Sequence, residues 1–256
     1  MAENVQTGLA GLLQAEHVAQ EAALRKAPNG ISYSIFGDTG VEDTDLDRMV
    51  QAVPAAIAAA LARKAYYFVP LALSEGRGGE STLVAPASTP DLADQAICHR
   101  NVALGATDGV FISTRLLGDR FALAFEFFIN VGHAFVDAAG VPEDFNTAVW
   151  NQVLADVRGE TSFDAWEMRS QAISRNSAGK TNIDEKAKSS YLEAAFSDAI
   201  AIYLLSLALD FDYSELRERE YPLLAPQPLA ERLRLVARLF PPNAGYEFAI
   251  RYRRRI

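Results

Sequence analysis

An α+β fold is predicted by the way two kinds of apolar segment divide the chain. Short segments with strand periodicity or strand residue types, at 31–35, 66–69, 82–85 and 109–114, all lie in the first half. Long apolar segments at helical spacing, 121–139 and 191–209, lie in the second. Strands interspersed with helices, followed by helices alone, predict one α+β domain with two unequal lobes. The expected arrangement is a small mixed sheet within residues 30–117 and a mainly helical remainder. The lobes are 1–118 and 119–256 of a single domain.

The first segment has apolar Leu9, Leu12, Leu13 and Val18 at helical spacing, interrupted by Glu3, Glu16 and Glu21. It lacks a basic start and an unbroken apolar run, so it is not expected to be a secretory signal, and a cytoplasmic location is expected. Ala27-Pro28-Asn29-Gly30 is a turn, and 31–35 then alternates like a half-buried strand. Residues 43–64 read as helix, with Asp45 as a candidate cap and Pro54 marking a kink or a break. The aromatic and β-branched 66–69 is a strand closed by Pro70, and 74–81, with three glycines, is an exposed loop. Residues 82–85 supply a third strand. Residues 109–114 supply a fourth, expected at the sheet edge.

Gly118-Asp119 begins the helix 121–139, which stops at Gly140 with Pro142 beyond it. Helices follow at 142–157, with acidic residues in the first turn, and at 162–173. The polar segment 174–190 reads as a mobile loop before helix 191–209. The last helix, 229–239, is amphipathic, with Arg232, Arg234 and Arg238, and Pro241-Pro242 end it.

Composition limits the chemistry. The 256 residues carry 33 acidic and 24 basic side chains, a formal charge of −9, which argues against general nucleic-acid binding. Three histidines (His17, His99, His133) and one cysteine (Cys98) exclude an intrachain disulfide and a Cys-rich zinc site. The apolar stretches 121–136 and 199–209 are too short or too polar for a membrane span and read as buried helices, so no span is expected.

One helix carries a polar stripe. Glu126, Asn130, His133 and Asp137 step by four, three and four, so they share a face of an otherwise apolar helix. Buried polar groups need partners, at about 1–3 kcal/mol for each one left unsatisfied. The stripe therefore faces a ligand, a metal or a hydrogen-bonded core network. The later helix offers Glu193, Ser197 and Asp198 among apolar residues. Asp198 is expected to pair, with His133 as its candidate partner, and Glu193 is as well explained by the helix dipole.

Other polar features read more simply. Cys98-His99 is expected to be a buried thiol beside an exposed or hydrogen-bonded imidazole, because neighbours on a strand point to opposite sides. Cys98 as a nucleophile paired with His133 lacks a recognisable oxyanion arrangement. His17 is a surface residue. The loop Gly76-Arg77-Gly78-Gly79-Glu80-Ser81 lacks the Gly-Lys-Ser/Thr ending of a phosphate loop. Arg251-Tyr252-Arg253-Arg254-Arg255 reads as a solvated basic tail.

The order of strand 109–114, helix 121–139 and helix 191–209 resembles that of zincin metallopeptidases, closest to the branch of anthrax lethal-factor-type catalytic domains. Ile129-Asn130-Val131-Gly132-His133-Ala134 resembles the family's His-Glu-Val-Gly-His-Ala, with the last histidine retained. Ala194-Ala195-Phe196-Ser197-Asp198-Ala199-Ile200-Ala201-Ile202-Tyr203-Leu204 resembles its second motif, with Asp198 keeping the supporting carboxylate. The resemblance implies a zincin-like α+β fold over residues 109–210. It also places Ile129 where a metal-binding histidine would stand, Asn130 at the general base and Ala194 at the third ligand. Zinc chemistry in that fold needs two imidazoles, a third ligand and a carboxylate base. Tyr191 stands too close to the second motif for the family's transition-state tyrosine.

The expected function is thus a catalytically degenerate, metallopeptidase-like protein with no cofactor and no confident catalytic residue. It would bind a peptide or protein partner in the cleft between its lobes, through a strand added to the sheet edge. The alternative is a metal-dependent enzyme, hydrolase- or peptidase-like. It would use one divalent ion, zinc, iron or manganese, in a reconfigured shell of His133, Asp137, Glu193 and Asp198, with Glu126 nearby.

Overall fold

Consecutive apolar residues in short segments produce the sheets of the first half. The computed structural model describes residues 11–74, 81–175, 181–210, 212–213, 216 and 221–250. The first ten residues, the glycine-rich 75–80 and the arginine run from 251 lie outside these. The chain divides into two compact units, Met1–Phe127 and Phe128–Ile256.

Unit 1 begins with β1 (Leu13–Gln14), α1 (Ala15–Glu21), β2 (Arg25–Lys26) and β3 (Ser32–Ile35). The helical window 43–64 breaks at Pro54 into α2 (Asp43–Gln51) and α3 (Ala55–Ala60), because proline lacks the N–H that a continuous helix would bond. Asp45 does not cap α2. It sits within the first turn, and its Oδ1 accepts from Arg120 Nη2 at 3.0 Å. Next come β4 (Lys64–Val69), β5 (Leu71–Ser74), β6 (Thr82–Ala85), α4 (Pro90–Ala93), β7 (Ala96–Ile97), β8 (His99–Leu104), β9 (Thr107–Ser113) and α5 (Thr114–Leu117). Helix α6 (Arg120–Ala139) contains the boundary between the units.

The main sheet has the order β2-β3-β4-β9-β8. Its three central strands are parallel, with Tyr33 beside Tyr66 and Tyr66 beside Val110, and both outer strands are antiparallel. A second, antiparallel sheet has the order β1-β6-β5-β7. The mixed sheet expected within 30–117 is therefore present, with a second sheet beside it. Strand β4 is buried on both faces. Ala65, Tyr67 and Val69 join Phe111 against Ala15 and Val18 of α1, while Tyr66 and Phe68 pack on Phe127.

The edge position expected for 109–114 is occupied instead by β8. Strand β9 has β4 on one side and β8 on the other. The physical reason is visible in the residues: Val110, Phe111 and Ile112 are all buried, the continuous apolar run of a central strand, whereas β8 alternates exposed and half-buried positions.

Unit 2 holds the rest of α6, then α7 (Glu143–Leu154), α8 (Phe163–Ala172), the hairpin β10 (Ile173–Arg175) and β11 (Thr181–Ile183), α9 (Glu185–Ala208) and α10 (Pro226–Leu239). Helix α6 ends at Gly140, whose φ of 71° is the left-handed conformation that glycine adopts without strain. Most of the segment read as a loop, 174–190, is hairpin and helix. Asp184 caps α9 by accepting from the Ala187 N–H at 2.9 Å, and Lys188 bonds Glu185 and lies over the Trp150 ring. A polar first turn on an exposed helix face imitates loop composition.

The core of unit 2 centres on Phe196 of α9, with ring centroids of Phe145 and Phe135 at 4.6 and 6.3 Å. Two described helices, α6 and α9, are long and apolar enough to cross a membrane by length and composition, and 83% of the apolar window of α9 is buried within the protein.

Candidate functional site

The stripe on α6 is real as a helix face, but its members meet different surroundings. Glu126 is half-buried in unit 1, and its Oε1 lies 2.5 Å from His99 Nδ1 on β8. Asn130 is buried, whereas His133 and Asp137 are exposed. On α9, Glu193 is exposed and accepts from the Ser189 hydroxyl at 3.3 Å. Asp198 is buried, and its Oδ2 accepts from Thr161 Oγ1 at 2.8 Å. Burial pushes the Asp198 carboxyl up to about 6, opposed by the hydroxyls of Ser162 and Thr161 and by Arg232, and reinforced by Glu160.

Gly132 explains how α6 and α9 approach within unit 2. A Cβ at this position would stand 2.6 Å from the Ser197 carbonyl oxygen, so only glycine allows the two backbones to run so close. The contact joins the two segments that carry the zincin resemblance. Around it, the positions to which the resemblance would assign metal ligands and base are Ile129, Asn130 and Ala194. Two are hydrocarbon, and an amide is no base at neutral pH, so this donor set does not fit a zinc ion. Among the described residues, no three His, Cys, Asp or Glu side chains form a group able to hold a metal.

Strand β8 is the other element with chemical potential. The Ser113 N–H donates to the Cys98 carbonyl, and His99 stands opposite Ile112. Antiparallel pairing alternates, so Arg100, Val102 and Leu104 turn their backbone groups toward β9 while His99, Asn101 and Ala103 turn theirs away. Among the described residues no further strand pairs with this outer side.

Cys98, expected to be buried, is exposed at the bend between β7 and β8. Its partial desolvation, then the charge of Glu126, pushes the thiol up, so it stays protonated at neutral pH and is a poor nucleophile. His17 is the expected surface residue, 3.1 Å from Glu21 one helical turn away.

A polar cluster that the sequence reading missed lies in the core of unit 2. Glu160 is fully buried. Its Oε2 accepts from Arg232 Nη1 at 2.9 Å, and its Oε1 accepts from Arg169 Nη1 at 3.0 Å and from the Tyr191 hydroxyl at 2.7 Å. Arg232 Nε donates to Gln152 Oε1 at 2.8 Å, and Arg169 also donates to the carbonyls of Val157 and Gly159. Burial pushes the Tyr191 phenol well up. The cluster ties α7, α8, α9 and α10 to the segment around Glu160. Its donors and acceptors are spent on one another, so it acts as a crosslink and not as a reaction centre.

Its one signal in the sequence is the position of Arg232 on its helix. At 100° per residue Arg232 falls between Leu235 and Val236, on the buried side of α10, and not on the polar face.

Comparison with family models, with curated proteins and with solved structures found no match to this chain.

Proposed function

We propose that this protein is a zincin-like, catalytically silent binder that captures an extended peptide segment of a protein partner along β8. The observation that carries the reading is the outer edge of β8, where His99, Asn101 and Ala103 turn backbone donors and acceptors away from the sheet. Such an edge accepts an added strand, whose main-chain bonds supply affinity and whose alternate side chains supply selectivity. The surplus of nine negative charges favours a basic segment, by long-range attraction that salt weakens. Ile129, Asn130 and Ala194 support the absence of peptidase chemistry, and Glu126 is engaged by His99 instead of being held open for a metal.

The test uses a random peptide display selected on the intact protein, with bound peptides located by hydrogen exchange. Binders should protect the amides of His99, Asn101 and Ala103. Asn101→Pro should abolish binding while preserving the fold, because the N–H it removes points outward. Asn101→Ala should bind normally. Equal binding by Asn101→Pro, or protection confined to other elements, sinks the reading. Stoichiometric metal in protein purified without chelators, lost in His133→Ala, would replace it with the metal-dependent enzyme.

A further inference from the structure

We infer that unit 1 also holds a binding site for a free α-amino acid, a site independent of the β8 edge. A cavity of about 290 Å³ is lined by residues that follow β3 and β9, including Thr39, Glu42, Thr114, Arg115, Asp119 and Arg120. It therefore lies at the carboxyl ends of parallel strands, the end of such sheets at which ligands are commonly held.

Its two guanidinium groups are anchored by the protein and only partly used. Arg115 Nε donates to the Asp38 carbonyl at 3.1 Å, and Nη2 donates to Asp38 Oδ1 at 2.9 Å. Gly40 makes room for this group: a Cβ there would stand 2.4 Å from the guanidinium carbon. Arg120 Nη2 donates to Asp45 Oδ1 at 3.0 Å. A guanidinium offers five N–H donors in a fixed plane, so Nη1 of Arg115, and Nε and Nη1 of Arg120, have no acceptor among the described residues.

Carboxylates in the same lining have spare capacity. The Glu42 carbonyl accepts from the Asp45 and Leu46 N–H groups, but its carboxylate has no partner among the described residues, and Asp119 uses Oδ1 for the Ala122 N–H at 2.7 Å. A simple anion in this cavity would be repelled by Glu42, Asp45 and Asp119, and a metal ion by the two guanidinium groups. A ligand with a carboxylate and an ammonium on one carbon is matched by both sets. Arg120 and Arg115 would take its carboxylate, and Glu42 with Asp119 its ammonium. The volume leaves space for a side chain.

Isothermal titration of the full chain with each of the twenty α-amino acids, in a carboxylate-free buffer, tests the site. At least one should bind with Kd below about 10 mM, and its N-acetyl and carboxamide derivatives should bind at least about tenfold more weakly. Arg120→Gln and Glu42→Gln, both at exposed positions, should each weaken binding about tenfold without changing the circular dichroism. Absence of binding by all twenty overturns the inference. So does equal affinity for the blocked derivatives, or unchanged affinity in both folded variants.

Discussion

Each unit sets a carboxylate against a nitrogen base, under opposite conditions. In unit 1 the His99 and Glu126 side chains are 39% and 17% exposed, and water screens whatever charge they share. In unit 2 the Arg232 and Glu160 side chains are 1% and 0% exposed, and the cluster around them must satisfy every donor and acceptor itself. The contacts are of similar length, 2.5 and 2.9 Å, yet the surroundings make one an adjustable contact and the other a fixed part of the core. Distance alone therefore says little about what a polar pair does. Solvent access decides.

The difference can be broken most forcefully from the buried side. Arg232→Met leaves Glu160 and Gln152 short of a donor in the core, and should cost about 3–5 kcal/mol in urea unfolding. A loss below about 1 kcal/mol would mean that Arg169 and Tyr191 suffice for Glu160, and the two pairs would then differ little.

Asp198 sharpens the comparison through pH. Its folded value, about 6, lies above the ordinary 3.8 of a free aspartate, so the folded state holds this proton more tightly than the unfolded state. Stability from this group is therefore highest below pH 4 and falls as pH rises from about 4 to 6. Over that window the difference amounts to about 3 kcal/mol. Asp198→Asn should lack this fall, so its stability relative to the parent should improve between pH 4 and pH 7 in the same urea assay. A constant difference across that range would place Asp198 with the solvated carboxylates.

The smallest effect belongs to the edge pair. Glu126→Gln should change stability by less than about 1 kcal/mol, and less still in 1 M salt. A cost comparable with that of Arg232→Met would show that exposure at β8 is not what separates the two regions.

Much of the architecture was legible because local rules act alone. Pro54 interrupts a helical run, Gly140 ends one, and the 121–139 and 191–209 periodicities describe helices that exist. The edge strand was misplaced because strand position depends on what lies on both sides, which a single segment does not carry. Residues 185–190 were hidden because an exposed helical turn needs only a cap and a few ion pairs. The candidate site was partly legible: the stripe on α6 was found, but Glu160 was not. A glutamate followed by Thr161 and Ser162 resembles any surface turn until Arg232, far along the chain, is folded against it.

Gly132 gives the zincin resemblance a second meaning. The string Val-Gly-His-Ala contains one residue whose absence of a side chain sets how far apart two helix axes run, and that spacing is needed whether or not any reaction takes place beside it. A short motif of this kind can therefore mark a tight helix crossing as readily as a peptidase. Of everything the two segments could have in common with that family, the separation of their backbones is the property this chain physically requires.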